Sequence, residues 1–186
     1  MNINDLNAHI IDWAKERELD TKGTVEAQAI KTVEELSELI KAICKDKKED
    51  IIDSIGDVYV TLVIGNMLDD NMDLNYLEDI RKACFDEKSI KECKKLSKEY
   101  NLKKLGAFIQ IVLDYKYSPV VVRDLVFQLT KIAYKYDLDF VDCVESAYNT
   151  IKNRHGKLIN GSFYKDEDLK NEITDIFFGS SPNAIH

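Results

Sequence analysis

The chain has 186 residues, 45% hydrophobic and 32% charged, which is enough for one folded domain with a sizeable core and excludes wholesale disorder. A net charge of -8 argues against nucleic acid as partner, because phosphate backbones are held by clustered Lys and Arg, and an anionic substrate would need a metal between it and this protein. The four cysteines form no CxxC pair and have no zinc-finger spacing with histidine, so they read as core or surface thiols of a reduced, cytoplasmic protein. The start, MNINDLNAHIIDW, lacks the pattern of a signal peptide, and no run of about 18 uncharged apolar residues offers a membrane span.

Two prolines and seven glycines interrupt a chain whose apolar residues recur at three- and four-residue steps, so the expected fold class is all-α. Helices are predicted over roughly 3–18, 24–45, 48–69, 74–84, 88–99, 102–116, 119–136 and 139–155. Thr24 is a candidate cap for the second, and the polar Lys45-Asp46-Lys47-Lys48 turn folds the third back antiparallel on it. Tyr117-Ser118-Pro119 is a break, and Gly156 suits the end of the last long helix. MDLNYLED at 72–79 echoes LDFVDCVE at 138–145, and the stretch between, roughly 70–136, reads as a folded helical insertion in a single 1–186 domain. Asn160-Gly161 is a turn signal, and the tail from about 169 to 186 reads as flexible.

On a helical wheel Gln28, Lys31, Glu35 and Glu38 share one stripe of the second helix, with Ile30, Val33, Leu36, Ile40 and Ile43 on another. In the third helix Asp50, Asp53 and Asp57 share a stripe while nearly every other direction is apolar, so that helix is expected at the centre of the bundle with its acids turned away from bulk water. Buried carboxylates need a partner, either a lysine or a cation. The third helix has no lysine after Lys48, which leaves Lys31 and more distant side chains. Carboxylates facing one another across two helices repel until a cation enters, and oxygen-only ligands suit Mg²⁺ first and Mn²⁺ second. Glu35 is followed by Glu38 and not by a histidine, which removes the ferritin-like di-iron pattern, and GxxxxGK[ST] and HExxH are absent.

AQAIKTVEELSELIKAICKDKKEDIIDSIGDVYVTLVI, followed much later by DLDFVDCVESAYNTIKNRHGKLINGSFYKDED, resembles the MazG-like nucleoside triphosphate pyrophosphohydrolases of the all-α NTP pyrophosphatase group. The similarity covers roughly residues 3–69 and 137–168, with Glu34-Glu35-Leu36-Ser37-Glu38 as the EExxE half of the family signature and Asp57 as the last acid of ExxD. It implies a helical bundle of that type, hydrolysis of NTP to NMP and pyrophosphate, and Mg²⁺ held by Glu35, Glu38 and Asp57, with Mn²⁺ as a possible substitute. ExxD would place its first acid at Ser54, so Asp53, about 40° from Asp57 on the wheel, is taken as the fourth ligand. Glu35 or Glu38 is the candidate general base. Lys31, Asn149, Lys152 and Arg154 are candidate phosphate-binding residues, with Lys157 less favoured. Gln28 would read a base edge or a phosphate, and Trp13 would stack on a base or serve the core. The resemblance further implies a homodimer or homotetramer with a nucleoside triphosphate as partner, while charge and hydropathy point to neither nucleic acid nor membrane. Two alternatives remain: a related all-α dUTPase or phosphoribosyl-ATP pyrophosphatase, and a non-enzymatic helical interaction module.

Overall fold

Side-chain caps set most of the helix starts, because the first backbone N–H groups of a helix have no partner within it. Asn2 accepts from the N–H of Asp5 at the head of α1 (Ile3–Glu16), which is followed by the single turn α2 (Leu19–Lys22). Thr24 accepts from the N–H of Ala27 at the start of α3 (Val25–Lys45), and α4 runs Lys48–Asp69. Asp73 caps α5 (Leu74–Cys84), Asp86 caps α6 (Glu87–Lys95) and Ser97 caps α7 (Lys98–Tyr115). Pro119 opens α8 (Pro119–Lys135), and Asp139 accepts from two N–H groups at the head of α9 (Phe140–Ile151). An antiparallel hairpin of β1 (Gly156–Ile159) and β2 (Ser162–Lys165) follows. The computed structural model describes residues 1–69, 73–159 and 162–166.

The fold is an all-α helical bundle built around α4, which packs against α1, α2, α3, α8 and α9. Among the described residues α4 is the one helix long and apolar enough to cross a bilayer, but 72% of its apolar window is buried by these neighbours, which is how the central helix of a bundle satisfies its apolar faces. Two glycines let the neighbours come close. A Cβ on Gly56 would lie 2.3 Å from the carbonyl oxygen of Cys143 in α9, and one on Gly65 would lie 2.0 Å from Cζ of the Tyr117 ring. Side chains of α7 and α8, such as Leu105, Val112, Val122 and Leu129, belong to the same buried cluster as Leu36, Leu39 and Val58 of α3 and α4. The stretch expected to be an insertion therefore adds to the common core.

Tyr117 ties the α7–α8 connection to α3. Its hydroxyl lies 2.7 Å from Thr32 Oγ1, and the Thr32 hydroxyl donates to the carbonyl of Gln28 one turn earlier. Burial pushes the phenol well above its ordinary pKa, so it stays neutral. Tyr117→Phe should lower stability by about 1 kcal/mol, read as a shift in urea midpoint at constant slope, because Thr32 keeps its bond to Gln28.

Several expectations need correction. The first predicted helix is broken at Glu18, whose positive φ of 59° stops α1 and starts α2. The core face of α3 is rotated from the expected one: Ala29, Thr32, Leu36, Leu39, Ala42 and Ile43 are buried, while Ile30 is 63% exposed. Asp50 and Asp53 are exposed: they face solvent on the same turns of α4 whose Ile51, Ser54 and Ile55 are buried. The last long helix ends at Ile151 and not near 155, and Gly156 opens a strand. The turn at Asn160-Gly161 and the tail from 169 to 186 lie outside the described residues. The echo between 72–79 and 138–145 is a shared capping pattern: Asp73 and Asp139 each cap a helix and are followed by buried Leu74 and Phe140.

Candidate active site

The Lys45-to-Lys48 turn returns α4 antiparallel along α3, with Asp46 in the left-handed conformation at the C-cap of α3. The register is fixed further on by Gln28, whose buried amide Nε2 donates to the carbonyl of Thr61 at 3.2 Å. This pairing turns the Gln28–Lys31–Glu35–Glu38 stripe of α3 toward the Asp57–Val60–Thr61–Ile64 face of α4. All eight residues line one cavity, closed by Trp13 and Leu19 from the N-terminal helices, Ile151 and Arg154 from the end of α9, and Phe163 of β2. Its volume is about 150 Å³. Pockets for whole drug-sized ligands run to about 300–1,000 Å³, so as it stands the cavity suits a phosphate group and not an entire nucleotide.

The cavity has a charged end and an apolar end. At the charged end Lys31 Nζ lies 2.9 Å from Glu34 Oε2 and 2.9 Å from Glu35 Oε1. Burial pulls the Lys31 pKa down, but its hydrogen bonds and charge interactions with Glu34 and Glu35 outweigh that and hold it above the ordinary lysine value. Lys31 is thus a cation throughout the neutral range. Glu35 is 8% exposed, Asp57 is half-buried, and Glu38 is exposed and makes no ion pair with a described residue. At the apolar end Trp13 meets the edge of Phe163 at 5.4 Å, and its indole N–H donates to the carbonyl of Ile151 at 2.9 Å.

Gln28, Lys31, Glu35, Glu38, Asp57, Arg154 and Trp13, all expected from the sequence, come together here. Asp53, Asn149 and Lys152 do not line the cavity. Asp53 sits one turn before Asp57 on the open side of α4, where its charge is felt at the Cys143 thiol. That thiol is pushed up to about 12 by burial first, and then by Asp139 and Asp142 before Asp53. The expected fourth ligand, Asp53, thus lies outside the cavity, and Ser54, where the resemblance would place the acid, is buried. Asn149 and Lys152 are exposed and satisfy each other, Lys152 Nζ donating to Asn149 Oδ1 at 2.8 Å. The early end of α9 is the reason: the chain turns away after Ile151 and brings Arg154, not Lys152, to the cavity.

Arg17 and Phe163 were not anticipated. Arg17 donates to the carbonyl of Arg154 from Nε at 3.2 Å and from Nη2 at 2.7 Å, and its guanidinium lies 4.5 Å from the centroid of the Trp13 ring. It therefore fixes the backbone that carries Arg154 and one face of the tryptophan. No local pattern around Arg17 signals this role, whereas Phe163 lies in the NGSF stretch that takes part in the family resemblance.

The donor set suits a hard divalent cation, since Glu35, Glu38 and Asp57 offer only oxygen from two facing helices. Among the described residues, however, no three acidic, histidine or cysteine side chains are grouped closely enough to hold an ion as they stand. The ammonium of Lys31 is what occupies Glu35.

No family model matches the chain, and no solved structure matches it. A stretch of 63 residues, 34% of the chain, is 40% identical to an uncharacterized 18.2 kDa protein of the rep-hol intergenic region of Haemophilus phage HP1 (strain HP1c1). The match spans 39% of that protein's length.

Proposed function

We propose that the protein is a Mg²⁺-dependent nucleoside triphosphate pyrophosphohydrolase, converting a (deoxy)nucleoside triphosphate and water to the monophosphate and pyrophosphate. The observation that carries this reading is that three carboxylates from two facing helices, Glu35, Glu38 and Asp57, line one cavity together with the cations Lys31 and Arg154. Glu35, Glu38 and Asp57 would hold the ion, Mg²⁺ or in its place Mn²⁺. Such an ion, when bound, neutralises phosphate charge and makes water a better nucleophile at neutral pH.

The chain's own residues do the rest. Arg154 presents a planar fork of donors to phosphate oxygens, and the Lys31 ammonium adds a mobile point charge. Glu38 is the better placed general base, because it is open to water whereas Glu35 is nearly enclosed. It accepts the proton as the water oxygen bonds to the α-phosphorus, and the bond from that phosphorus to the α–β bridging oxygen breaks, with the electron pair leaving on pyrophosphate. Trp13, Ile151 and Phe163 form an apolar wall against which the nucleoside can rest once the cavity opens to admit it. The cytoplasm, where nucleotides and magnesium are abundant, is the compartment this reading requires. Self-association into a homodimer or homotetramer is part of the proposal, and exposed Ile30, Tyr115 and Val120 are apolar side chains of the kind such a contact would cover.

Incubating the purified protein with a nucleotide panel that includes dUTP and phosphoribosyl-ATP, with and without Mg²⁺, tests the reading. Pyrophosphate and a monophosphate should appear only with the metal, and the best substrate separates the general hydrolase from its dUTPase and phosphoribosyl-ATP relatives. The Lys31–Glu35 pair favours one other reading, a non-enzymatic helical module in which the acids are structural. That module would release no pyrophosphate, and Mg²⁺ would leave its melting temperature unchanged.

A further inference from the structure

Glu35 is nearly enclosed, so its carboxylate cannot rely on water and needs a cation. Lys31, one turn earlier on the same helix, supplies it at 2.9 Å and shares the same ammonium with Glu34 at the same distance. An ammonium and a divalent ion compete for Glu35 in a cavity of about 150 Å³, because each repels the other and weakens the attraction that holds it. Lys31 can leave: its stem is flexible, its side chain is 34% exposed, and Glu34, its second partner, is open to solvent.

We propose that Lys31 is a resident stand-in for the metal: it holds Glu35 until a divalent cation displaces it, and the released ammonium then pairs with the substrate's phosphate oxygens. This rests on the site proposed above and adds its regulation. A metal arriving alone has to displace Lys31 and leave it with Glu34 only. A polyphosphate arriving alone meets the carboxylates with no metal between. Arriving together, each satisfies the partner that the other releases, so metal and polyphosphate raise one another's affinity, as linkage requires. The substrate-free enzyme is correspondingly kept weakly loaded.

The test is calorimetric titration of Mg²⁺, and of Mn²⁺, into the nucleotide-free protein in three forms: wild type, Lys31→Met and Lys31→Arg. Lys31→Met should bind the ion about tenfold more tightly than wild type, since the competing cation is gone, and Lys31→Arg should stay near wild type. Melting curves give a second reading. Lys31→Met should melt lower than wild type without metal, with Glu35 unpaired, and should gain more from Mg²⁺. Equal or weaker metal binding by Lys31→Met overturns the proposal, as does an absence of binding in all three forms. Tighter binding by Lys31→Met in a protein that releases no pyrophosphate from any nucleotide would uphold the stand-in and defeat the hydrolase reading. Hydrolysis by wild type without that gain would do the reverse.

Discussion

Asp57→Asn and Glu38→Gln should each reduce kcat/KM for pyrophosphate release by on the order of a thousandfold, because even residues that merely orient a metal ligand are worth about 10–100-fold. Both changes keep shape and remove one charge. Asp57 is half-buried on the face of α4 that borders the cavity, and Glu38 is exposed on α3, so helical content by circular dichroism should match wild type. The two variants should differ in binding. Asp57→Asn should also weaken Mg²⁺ binding to the nucleotide-free protein, whereas Glu38→Gln, if Glu38 takes the proton, should lose more in kcat than in metal affinity. Full turnover by either variant would remove its residue from the mechanism.

Gly56→Ala should be among the most destabilising single changes in the protein. The added methyl would stand 2.3 Å from the Cys143 carbonyl oxygen and 2.6 Å from Ala147 Cβ, and neither is the loose end of a side chain that could swing aside. The two helices would have to separate, at about 1–3 kcal/mol or more, visible as a lower urea midpoint. Because α9 leads into the segment that carries Arg154 and offers the Ile151 carbonyl to Trp13, the shift should also raise KM. Gly106→Ala is the matched control. A Cβ there meets nothing within 4 Å on the exposed side of α7, so this change should leave stability unchanged or raise it by up to about 1 kcal/mol. Equal midpoints for the two variants would contradict the close α4–α9 packing.

The helical class was legible because a 3.6-residue period survives over most of the chain, and the central place of α4 was legible because apolar residues surround it. Wheel angles alone did not say which side of a helix the neighbours cover. Asp50, Asp53 and Asp57 share a stripe, yet only Asp57 reaches the cavity: the neighbours cover Ile51, Ser54 and Ile55 and leave Asp50 and Asp53 on the open side of the same turns. The same limit misjudged Ile30, which is apolar on a helix whose core face is set by the packing of Ala29, Thr32 and Leu36. Asp86 and Ser97 as caps would have placed α6 and α7 more closely than their apolar pattern did. The hairpin was missed because two four-residue strands carry too few alternations to be told from a helix end.

For the site, spacing within α3 was sufficient for Gln28, Lys31, Glu35 and Glu38, because one helix face is fixed by the helix itself. Lys31 also stands three and four residues before Glu34 and Glu35, the spacing of helix ion pairs, so the pairing was legible; how far Glu35 is enclosed beneath it was not, because that depends on the packing of the two helices. Of Asn149, Lys152 and Arg154 only Arg154 lines the cavity, because the end of α9 lies earlier than the pattern indicated. Arg17 acts through a carbonyl 137 residues away in sequence, which no local pattern records.

A crystal structure with Mn²⁺ and a non-hydrolysable nucleoside triphosphate puts the carboxylate cavity to the most direct test. Anomalous density for the metal should lie against oxygens of Glu35, Glu38 and Asp57, with the phosphates beside Arg154 and the Lys31 ammonium moved from Glu35 onto them. Metal and nucleotide bound elsewhere, or a Lys31–Glu35 pair left intact beside a bound triphosphate, would contradict it.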